Sequence, residues 1–186
     1  MKLILTTANA RYTHCAFGLR CLAAALKTRG LNPVLREFTI NQSAYEIAEA
    51  LLEEGPDVIG FGVYIWNVEI IGQIAHILRS VSPRTVIIAG GPEMLGTNTD
   101  TVLFTTADYV ITGEAEEALA DLISQIAAGT RPENKHIVAT PPPLDRLPSP
   151  YNLYTDEDIR NRIVYVESSR GCPYRCAFCL SSRDKT

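Results

Sequence analysis

The run Asp57-Val-Ile-Gly-Phe-Gly-Val-Tyr-Ile-Trp-Asn67 decides the fold that we predict for this chain. It is almost continuously apolar as far as Ile65. It lacks the alternation of apolar and polar residues that is typical of a strand with one solvent-exposed face. The pair Gly55-Pro56 precedes it and breaks a helical pattern. These features are typical of a strand inside a parallel sheet that helices cover on both faces.

Strand and helix signals alternate on both sides of this run, across about residues 1–130. Glycines follow several of the helical stretches, and Ser43 is a typical helix N-cap. The predicted strands are Lys2–Thr7, Asn32–Phe38, Asp57–Ile65, Thr85–Ala89 and Asp108–Thr112, and the predicted helices are Ala16–Thr28, Ala44–Glu54, Val68–Ser80 and Glu116–Ala128. Five such β–α units predict an α/β fold, a doubly wound, Rossmann-like sheet of five parallel strands.

In doubly wound sheets, ligands bind beyond the carboxyl ends of the strands. The turns of interest therefore follow the predicted strands, at residues 8–14, 64–67, 90–93 and 113–117. The pair Gly90-Gly91 removes two Cβ atoms, so a bulky ligand can lie against bare backbone. Because a tight turn alone can also require glycine, the pair by itself does not identify a ligand.

Bulk composition argues against several classes of protein. The chain has 186 residues, of which 46% are hydrophobic, and a formal net charge of −4. Its Lys and Arg residues form no block of the kind that binds nucleic acid. No apolar stretch has the length of a signal-peptide core or the roughly 20 residues of a membrane span. The five cysteines do not resemble a disulfide framework, which predicts a reducing, cytoplasmic setting.

Three of the cysteines, Cys172, Cys176 and Cys179, form a C-x3-C-x2-C array near the end of the sequence. Thiolates at this spacing can converge on one metal centre. A structural zinc site normally has four protein ligands, and no second ligand pair lies at a suitable spacing. The array therefore favours an iron–sulfur cluster with one iron open to another ligand. Cys15 and Cys21 are expected to be packing residues.

The segment Arg170-Gly-Cys-Pro-Tyr-Arg-Cys-Ala-Phe-Cys179 resembles the cluster motif of the radical S-adenosylmethionine (SAM) superfamily. The resemblance implies a [4Fe–4S] cluster on the three cysteines, with SAM on the open iron. It also implies that residues 162–167 form the first strand of a partial barrel. Only seven residues follow Cys179. We therefore expect an amino-terminal fragment that does not turn over alone and whose cysteine segment is flexible or lacks the cluster when isolated.

Three further segments resemble the cobalamin-binding domain found ahead of many radical SAM barrels. They are residues 57–67, 86–93 and 109–119, in the order of that family, and the resemblance covers about residues 1–130. It implies that cobalamin lies against the loops that follow the strands. The cofactor-binding residues that it implies are Asn9, Tyr12, Thr13, His14, Tyr64, Ile65, Trp66, Gly90, Gly91, Pro92, Gly113 and Glu114.

Two groups of these residues have a second interpretation. Other cobalamin proteins carry Asp-x-His-x-x-Gly, whose histidine binds cobalt, but His14 has no aspartate two positions before it and three residues separate it from Gly18. The aspartate of that motif orients the histidine, and His14 lacks this partner. His14 is therefore either a cobalt ligand or a helix-start residue near the cofactor. The apolar residues from Tyr64 to Trp66 either pack over the corrin ring or belong to the core.

The resemblance divides the chain into three parts. Residues 1–130 are expected to form the cobalamin-binding domain, residues 131–161 a Pro-rich linker, and residues 162–186 the start of a truncated radical SAM domain. Within the linker, residues 135–139 are a candidate edge strand and residues 156–159 a candidate helical turn.

The function implied by both resemblances is that of a cobalamin-dependent radical SAM enzyme, similar to uncharacterised members that carry only a domain-of-unknown-function label. Its cofactors would be cobalamin, a [4Fe–4S] cluster and SAM, and its barrel would come from the same chain. The reaction expected is methyl transfer from methylcobalamin to an unactivated carbon through a 5′-deoxyadenosyl radical. Two alternatives stay open: a stand-alone corrinoid carrier and a Rossmann-like domain for a nucleotide. The absence of Gly-x-Gly-x-x-Gly after the first strand disfavours the second.

Overall fold

One parallel sheet organises the computed structural model, which describes residues 1–95, 102–174 and 176–179. Within these residues the sheet has six strands: β1 (Leu3–Asn9), β2 (Val34–Thr39), β3 (Val58–Gly62), β4 (Val86–Gly90), β5 (Tyr109–Thr112) and β6 (His136–Val138). Their order is β2-β1-β3-β4-β5-β6, and each adjacent pair is parallel. The chain order reverses between β1 and β3, which is where doubly wound sheets form a crevice.

Helices cover both faces of the sheet. The α-helices are α1 (Phe17–Thr28), α2 (Ala44–Glu53), α3 (Val68–Val81), α4 (Val102–Thr106), α5 (Glu116–Ala127) and α6 (Asp156–Asn161), and 3-10 turns occupy Pro92–Leu95, Leu144–Arg146 and Tyr151–Leu153. Helix α1 packs beside α5, whereas α3 packs beside α2 and α4. Ser43 begins α2 with a capping box, because its hydroxyl accepts from Glu46 N and the Glu46 carboxylate accepts from Ser43 N.

The core consists of two layers, one on each face of the sheet. Successive strand residues point to opposite faces, so Ile4 and Ile59 pack with α2 and α3, whereas Leu5 and Val58 pack with α1 and α5. All four side chains are nearly or fully buried. Burial on both faces explains the continuous apolar runs of the sequence and confirms the predicted fold class.

The sheet has one strand more than the five that we predicted. Its sixth strand is the candidate edge strand, which pairs with β5. The pair includes hydrogen bonds from Val110 N to Lys135 O and from Ala139 N to Thr112 O, both 2.8 Å. The side chains of His136 and Val138 are exposed. A short strand with little buried surface leaves a weak sequence pattern, which explains why it was not counted in the sheet.

The strand expected at residues 162–167 is the second difference. In this segment the structure has a single parallel bridge between His14 and Ile163, with a hydrogen bond of 2.8 Å from Ile163 N to Thr13 O. A strand needs a backbone partner along its length, whereas the backbone N–H groups of Tyr165 and Glu167 donate to the side-chain hydroxyls of Tyr154 and Tyr151. The alternating pattern of residues 162–167 therefore does not produce a strand here.

Part of the predicted linker is ordered and packed on the sheet. Helix α6 begins at a capping box of Thr155 and Asp158, and Asp158 is buried. The ring of Tyr154 is also buried, and its hydroxyl contacts the backbone of Tyr165. The candidate helical turn is thus confirmed, whereas the three-part division of the chain stays a prediction. Among the described helices, none combines the length and the apolar character needed to cross a membrane.

Candidate functional site

A cavity of about 490 Å³ opens at the carboxyl ends of the central strands. This volume lies within the range of small-molecule and cofactor sites, and its position is the one at which doubly wound sheets bind ligands. The ends of β3, β4 and β5, the first turns of α1 and α5, and the segment before Cys172 enclose it. Its lining includes Gly18, Leu19, Gly62, Tyr64, Gly90, Gly91, Pro92, Gly113, Glu114, Glu116, Ser169 and Arg170.

Backbone, and not side chains, forms the part of this cavity at the strand ends. Gly91 has a φ of 120°, and a Cβ built there would lie 2.4 Å from Val63 O. Gly113 has a φ of 90°, and its Cβ would lie 3.0 Å from the carbonyl oxygen of Ala139. Each position therefore requires glycine for the close approach of two chain segments. The wall of the cavity at these two positions is therefore bare backbone, against which a ligand can lie.

Two stacked aromatic rings stand beside the cavity. The ring centroids of Tyr64 and Trp66 are 4.6 Å apart, and the rings are within 4° of parallel. Tyr64 lines the cavity, and its burial raises the pKa of its hydroxyl. Ile65 is 78% exposed and Trp66 is 47% exposed. The alternative that these two residues belong to the core is therefore wrong.

The buried side chain of Asn67 holds the loop that carries these rings. Its Oδ1 accepts a hydrogen bond of 2.8 Å from Tyr64 N. Its Nδ2 lies 3.0 Å from both Thr7 Oγ1 and Ala8 O, and 3.2 Å from Gly62 O. One amide thus ties the ends of β1 and β3 to the aromatic loop. The sequence gives no signal of this role, since an Asn beside a helix start indicates only a cap.

The opposite side of the cavity carries a cluster of charges. The guanidinium of Arg170 lies 2.8 Å from Glu114, 2.7 Å from Glu116 and 2.8 Å from Glu167. Burial alone would lower the pKa of Arg170, but its hydrogen bonds to these carboxylates raise it further above its usual range. Arg170 is thus a permanent cation that joins the cysteine segment to the start of α5.

The residues predicted in the first loop do not line the cavity. They contact α6 and the segment after it. Tyr12 donates to Glu157, and His14 Nδ1 lies 2.6 Å from the hydroxyl of Tyr165. The Thr13 carbonyl accepts the bridge hydrogen bond described above, and Asn9 Nδ2 donates to the carbonyl of His14 at 2.9 Å. Their role in cofactor binding, and cobalt ligation by His14, stay predictions.

A closed ring of four charges fastens α6 and its flanking residues to the sheet. Arg20 contacts Glu37 at 2.7 Å and Asp158 at 2.8 Å, and Arg162 contacts the same two carboxylates at 2.8 Å. Each of the four side chains is at most 10% exposed. Hydrogen bonds from Ala16 N and the Asn9 amide also reach Glu37. Every carboxylate charge is therefore balanced, as a buried ionic group requires.

The arginines perturb both acids of this ring. Burial alone would raise the pKa of Glu37, but hydrogen bonds from Arg162 and Arg20 hold it below its usual value. Burial opposes ionisation of Asp158 in the same way, but the Thr155 backbone and both arginines hold its pKa well below its usual range. Both groups are therefore ionised at neutral pH.

The cysteines occupy two different environments. Cys15 and Cys21 are buried, as predicted, and burial raises the pKa of each thiol to about 11. Cys176 is exposed, and Cys172 and Cys179 are half-buried. Among the described residues, no three or more His, Cys, Asp or Glu side chains are arranged to hold a metal ion. The cluster site therefore stays a prediction that rests on the spacing of the thiols.

The structure thus gathers one half of the predicted cofactor residues around the cavity: Tyr64, Gly90, Gly91, Pro92, Gly113 and Glu114. The lining residues that were not predicted include Gly18, Glu116 and Arg170. Gly18 lies in the first turn of α1. Its position soon after the first strand is the sequence feature that could have indicated a place beside the cavity. Glu116 was attributed only to a helix start, and Arg170 only to the cysteine motif. Nothing local in the sequence pairs Arg170 with Glu114, 56 positions away.

Comparison with curated proteins finds methyltransferases. The chain is 30% identical over 151 residues to the 2-(S-pantetheinyl)-carbapenam-3-carboxylate methyltransferase of Streptantibioticus cattleyicolor, covering 67% of this chain and 22% of the relative. It is 27% identical over 164 residues to the cobalamin-dependent radical SAM methyltransferase TokK of Streptomyces tokunonensis, covering 72% of this chain and 23% of the relative. The chain therefore spans about a quarter of the length of these relatives.

A solved structure and a family model agree with the fold. The cobalamin-dependent SAM radical enzyme OxsB, with aqua-cobalamin and SAM bound, matches 95% of this chain and 28% of its own with a TM-score of 0.72 at 20% identity. That similarity shows a shared fold. The model of the B12-binding domain matches residues 3–123, which include all of β1 to β5. The chain therefore belongs to the B12-binding domain family, as its resemblance to cobalamin-binding radical SAM proteins predicted.

Proposed function

We propose that this chain is the cobalamin-binding portion of a cobalamin-dependent radical SAM methyltransferase, and that the strand-end cavity holds the cofactor. The observation that carries the proposal is the combination of a large cavity with a wall of bare backbone. Gly90, Gly91 and Gly113, at the ends of adjacent strands, line the cavity with backbone, and an added Cβ at each would press against a neighbouring backbone oxygen. Membership of the B12-binding family and the names of the relatives support cobalamin as the ligand.

The residues of the cavity suit one part of a large and partly polar cofactor, the rest of which would lie outside the 490 Å³ cavity. Backbone at Gly90, Gly91 and Gly113 offers close approach, and the exposed face of the Tyr64–Trp66 stack offers apolar surface. The chain's part is to bind and orient the cofactor and to exclude water from it. When bound, methylcobalamin supplies a methyl group.

The cysteine array supports the radical SAM part of the proposal. Cys172, Cys176 and Cys179 offer three thiols, which suits a [4Fe–4S] cluster whose remaining iron takes SAM. Arg170 connects the start of this array to the cavity, so both cofactors would belong to one site. The barrel, the substrate and a reducing cytoplasmic setting belong to the same proposal. A stand-alone corrinoid carrier would bind cobalamin without needing these thiols.

The test is titration with hydroxocobalamin, followed in the visible spectrum. We expect a saturable spectral change at one equivalent for the native chain. Gly18→Phe should abolish it, because Gly18 faces the cavity from an exposed helix position with Tyr64 Oη as the nearest contact of an added Cβ, at 3.4 Å. Lys27→Phe on the same helix is the matched control, since Lys27 is exposed and does not line the cavity. No binding to the native chain would overturn the proposal.

A second measurement separates the methyltransferase from the carrier. In the protein that includes the proposed barrel, anaerobic reconstitution with iron and sulfide should give about four of each per chain. Replacement of the three array cysteines by alanine should abolish this loading and leave the titration unchanged. Equal loading of the alanine variant would contradict the assignment of the cluster to these thiols.

A further inference from the structure

The segment that leads into the first array cysteine forms one wall of the cavity. Glu167, Ser169, Arg170 and Gly171 line it together with Gly90 and Gly91. A ligand that fills the cavity would therefore contact both the sheet and this segment. The segment ends at Gly171, the residue immediately before Cys172.

One side chain holds that wall in place. Arg170 is 13% exposed on its side chain, and its three nitrogens each contact a different carboxylate. Two of these, Glu114 and Glu116, belong to the turn after β5 and to the first turn of α5, and they are 18% and 7% exposed. An arginine with three separate partners has a defined position, which a lysine could not reproduce with one ammonium group.

We propose that Arg170, Glu114 and Glu116 form a clamp that couples the occupancy of the cavity to the position of the cysteine segment. The inference rests on the proposed function and adds positioning residues to it. A cofactor in the cavity stabilises the closed clamp, because the clamp completes the wall that the cofactor contacts. By reciprocity, opening the clamp weakens cofactor binding by the same factor by which the cofactor favours closure.

Trypsin cleavage after Arg170 reports clamp opening, since a protease cleaves the population of open molecules. Cleavage after Arg146 in the same chain is the internal reference. We expect hydroxocobalamin to slow cleavage after Arg170 relative to Arg146 by about tenfold, within the usual range of coupling between two sites. In the absence of cobalamin, Glu114→Gln and Glu116→Gln should accelerate it.

Glu117→Gln is the matched control, because Glu117 is an exposed neighbour with the same charge that does not line the cavity. It should change neither cleavage nor affinity. The two clamp variants should weaken hydroxocobalamin binding, and Arg170→Lys, which keeps the charge and the trypsin site, should behave like them. Lysine rescue of full affinity would show that charge alone suffices and would overturn the clamp.

The outcomes separate this inference from the proposed function. Binding of hydroxocobalamin with unchanged cleavage after Arg170 overturns the coupling and leaves the cofactor assignment intact. If Glu114→Gln and Glu116→Gln change neither cleavage nor affinity, as expected for Glu117→Gln, the coupling is likewise overturned and the cofactor assignment stays intact. Absence of binding to the native chain overturns both proposals together.

Discussion

Gly91 shows how a single position can serve both the fold and the cavity. Its φ of 120° and the 2.4 Å that would separate an added Cβ from Val63 O make any side chain unfavourable. We expect Gly91→Ala to lower the free energy of unfolding by about 3 kcal/mol, from backbone strain together with the displacement of the β3 loop. Urea unfolding at neutral pH measures the change.

The control for this substitution is Gly129→Ala. Gly129 has a φ of 82°, but no heavy atom lies within 4 Å of a Cβ built there. Its substitution should lower the free energy of unfolding only by the strain of an alanine at positive φ, about 1 kcal/mol. Equal losses for the two variants would contradict the close approach of Gly91 to Val63.

Asn67 is the second position at which one side chain decides local geometry. Asn67→Ala leaves Tyr64 N and three oxygen acceptors without their buried partner, which should cost about 2–3 kcal/mol in urea unfolding. Because the aromatic loop depends on this amide, hydroxocobalamin binding should weaken as well. Asn152→Ala, at an exposed position, is the control for both measurements. Full affinity in a folded Asn67→Ala variant would exclude the aromatic loop from the site.

Helix α6 and the residues that flank it form the element whose attachment is most sensitive to charge. Folding lowers the pKa of Glu37 and Asp158 from usual values of 4.5 and 3.8. The resulting stabilisation is complete above these values and is lost as the pH falls below them. We therefore expect urea midpoints to be constant near neutral pH and to fall steeply below about pH 4.

Substitution tests the same element at neutral pH. Glu37→Gln removes the carboxylate that faces both Arg20 and Arg162, and should lower the free energy of unfolding by about 3 kcal/mol. It should also flatten the acid dependence. Asp121→Asn breaks the exposed pair with Arg29 and should change stability by less than about 1 kcal/mol. An acid profile unaffected by Glu37→Gln would assign the pH dependence to other groups.

Elements buried on both faces were the most predictable from sequence. Strands β1, β3, β4 and β5 lie within a few residues of their predicted bounds, because continuous apolar runs between glycines and helices have few alternative structures. The half-buried edge strand β2 also lies close to its predicted bounds. Strand β6 exposes two of its three side chains and left a weak signal. The alternating pattern of residues 162–167 was not sufficient for a strand, because strand pairing depends on a neighbour that the local sequence does not specify.

The candidate site was predictable only in part, for a related reason. Glycines after buried strands marked the cavity loops, since a turn at the carboxyl end of a strand is a local property. The partners of Arg170 and of His14 are distant in sequence, and only the tertiary fold brings them together. The first loop therefore contacts α6 and the following segment in a way that no local pattern indicated.

The packed structure continues beyond residue 130, where the predicted first domain ends. Strand β6, the ring of four charges and α6 all involve residues after 130; β6 pairs with β5, and the ring joins α6 to β2 and α1. We expect a chain of residues 1–130 to be less stable than residues 1–166 by at least about 3 kcal/mol, because Arg20 loses Asp158 and Glu37 loses Arg162. Urea unfolding of both chains makes the comparison. Equal stability would place the boundary at residue 130, as the sequence predicted.

Hydrogen–deuterium exchange with and without hydroxocobalamin tests the location of the cofactor most directly. We expect slower exchange in peptides that contain the cavity loops, at residues 60–66, 89–95 and 112–118, and little change on the outer helices α2 and α3. Protection confined to the first loop around His14, or spread over the outer helices, would contradict cofactor binding in the strand-end cavity.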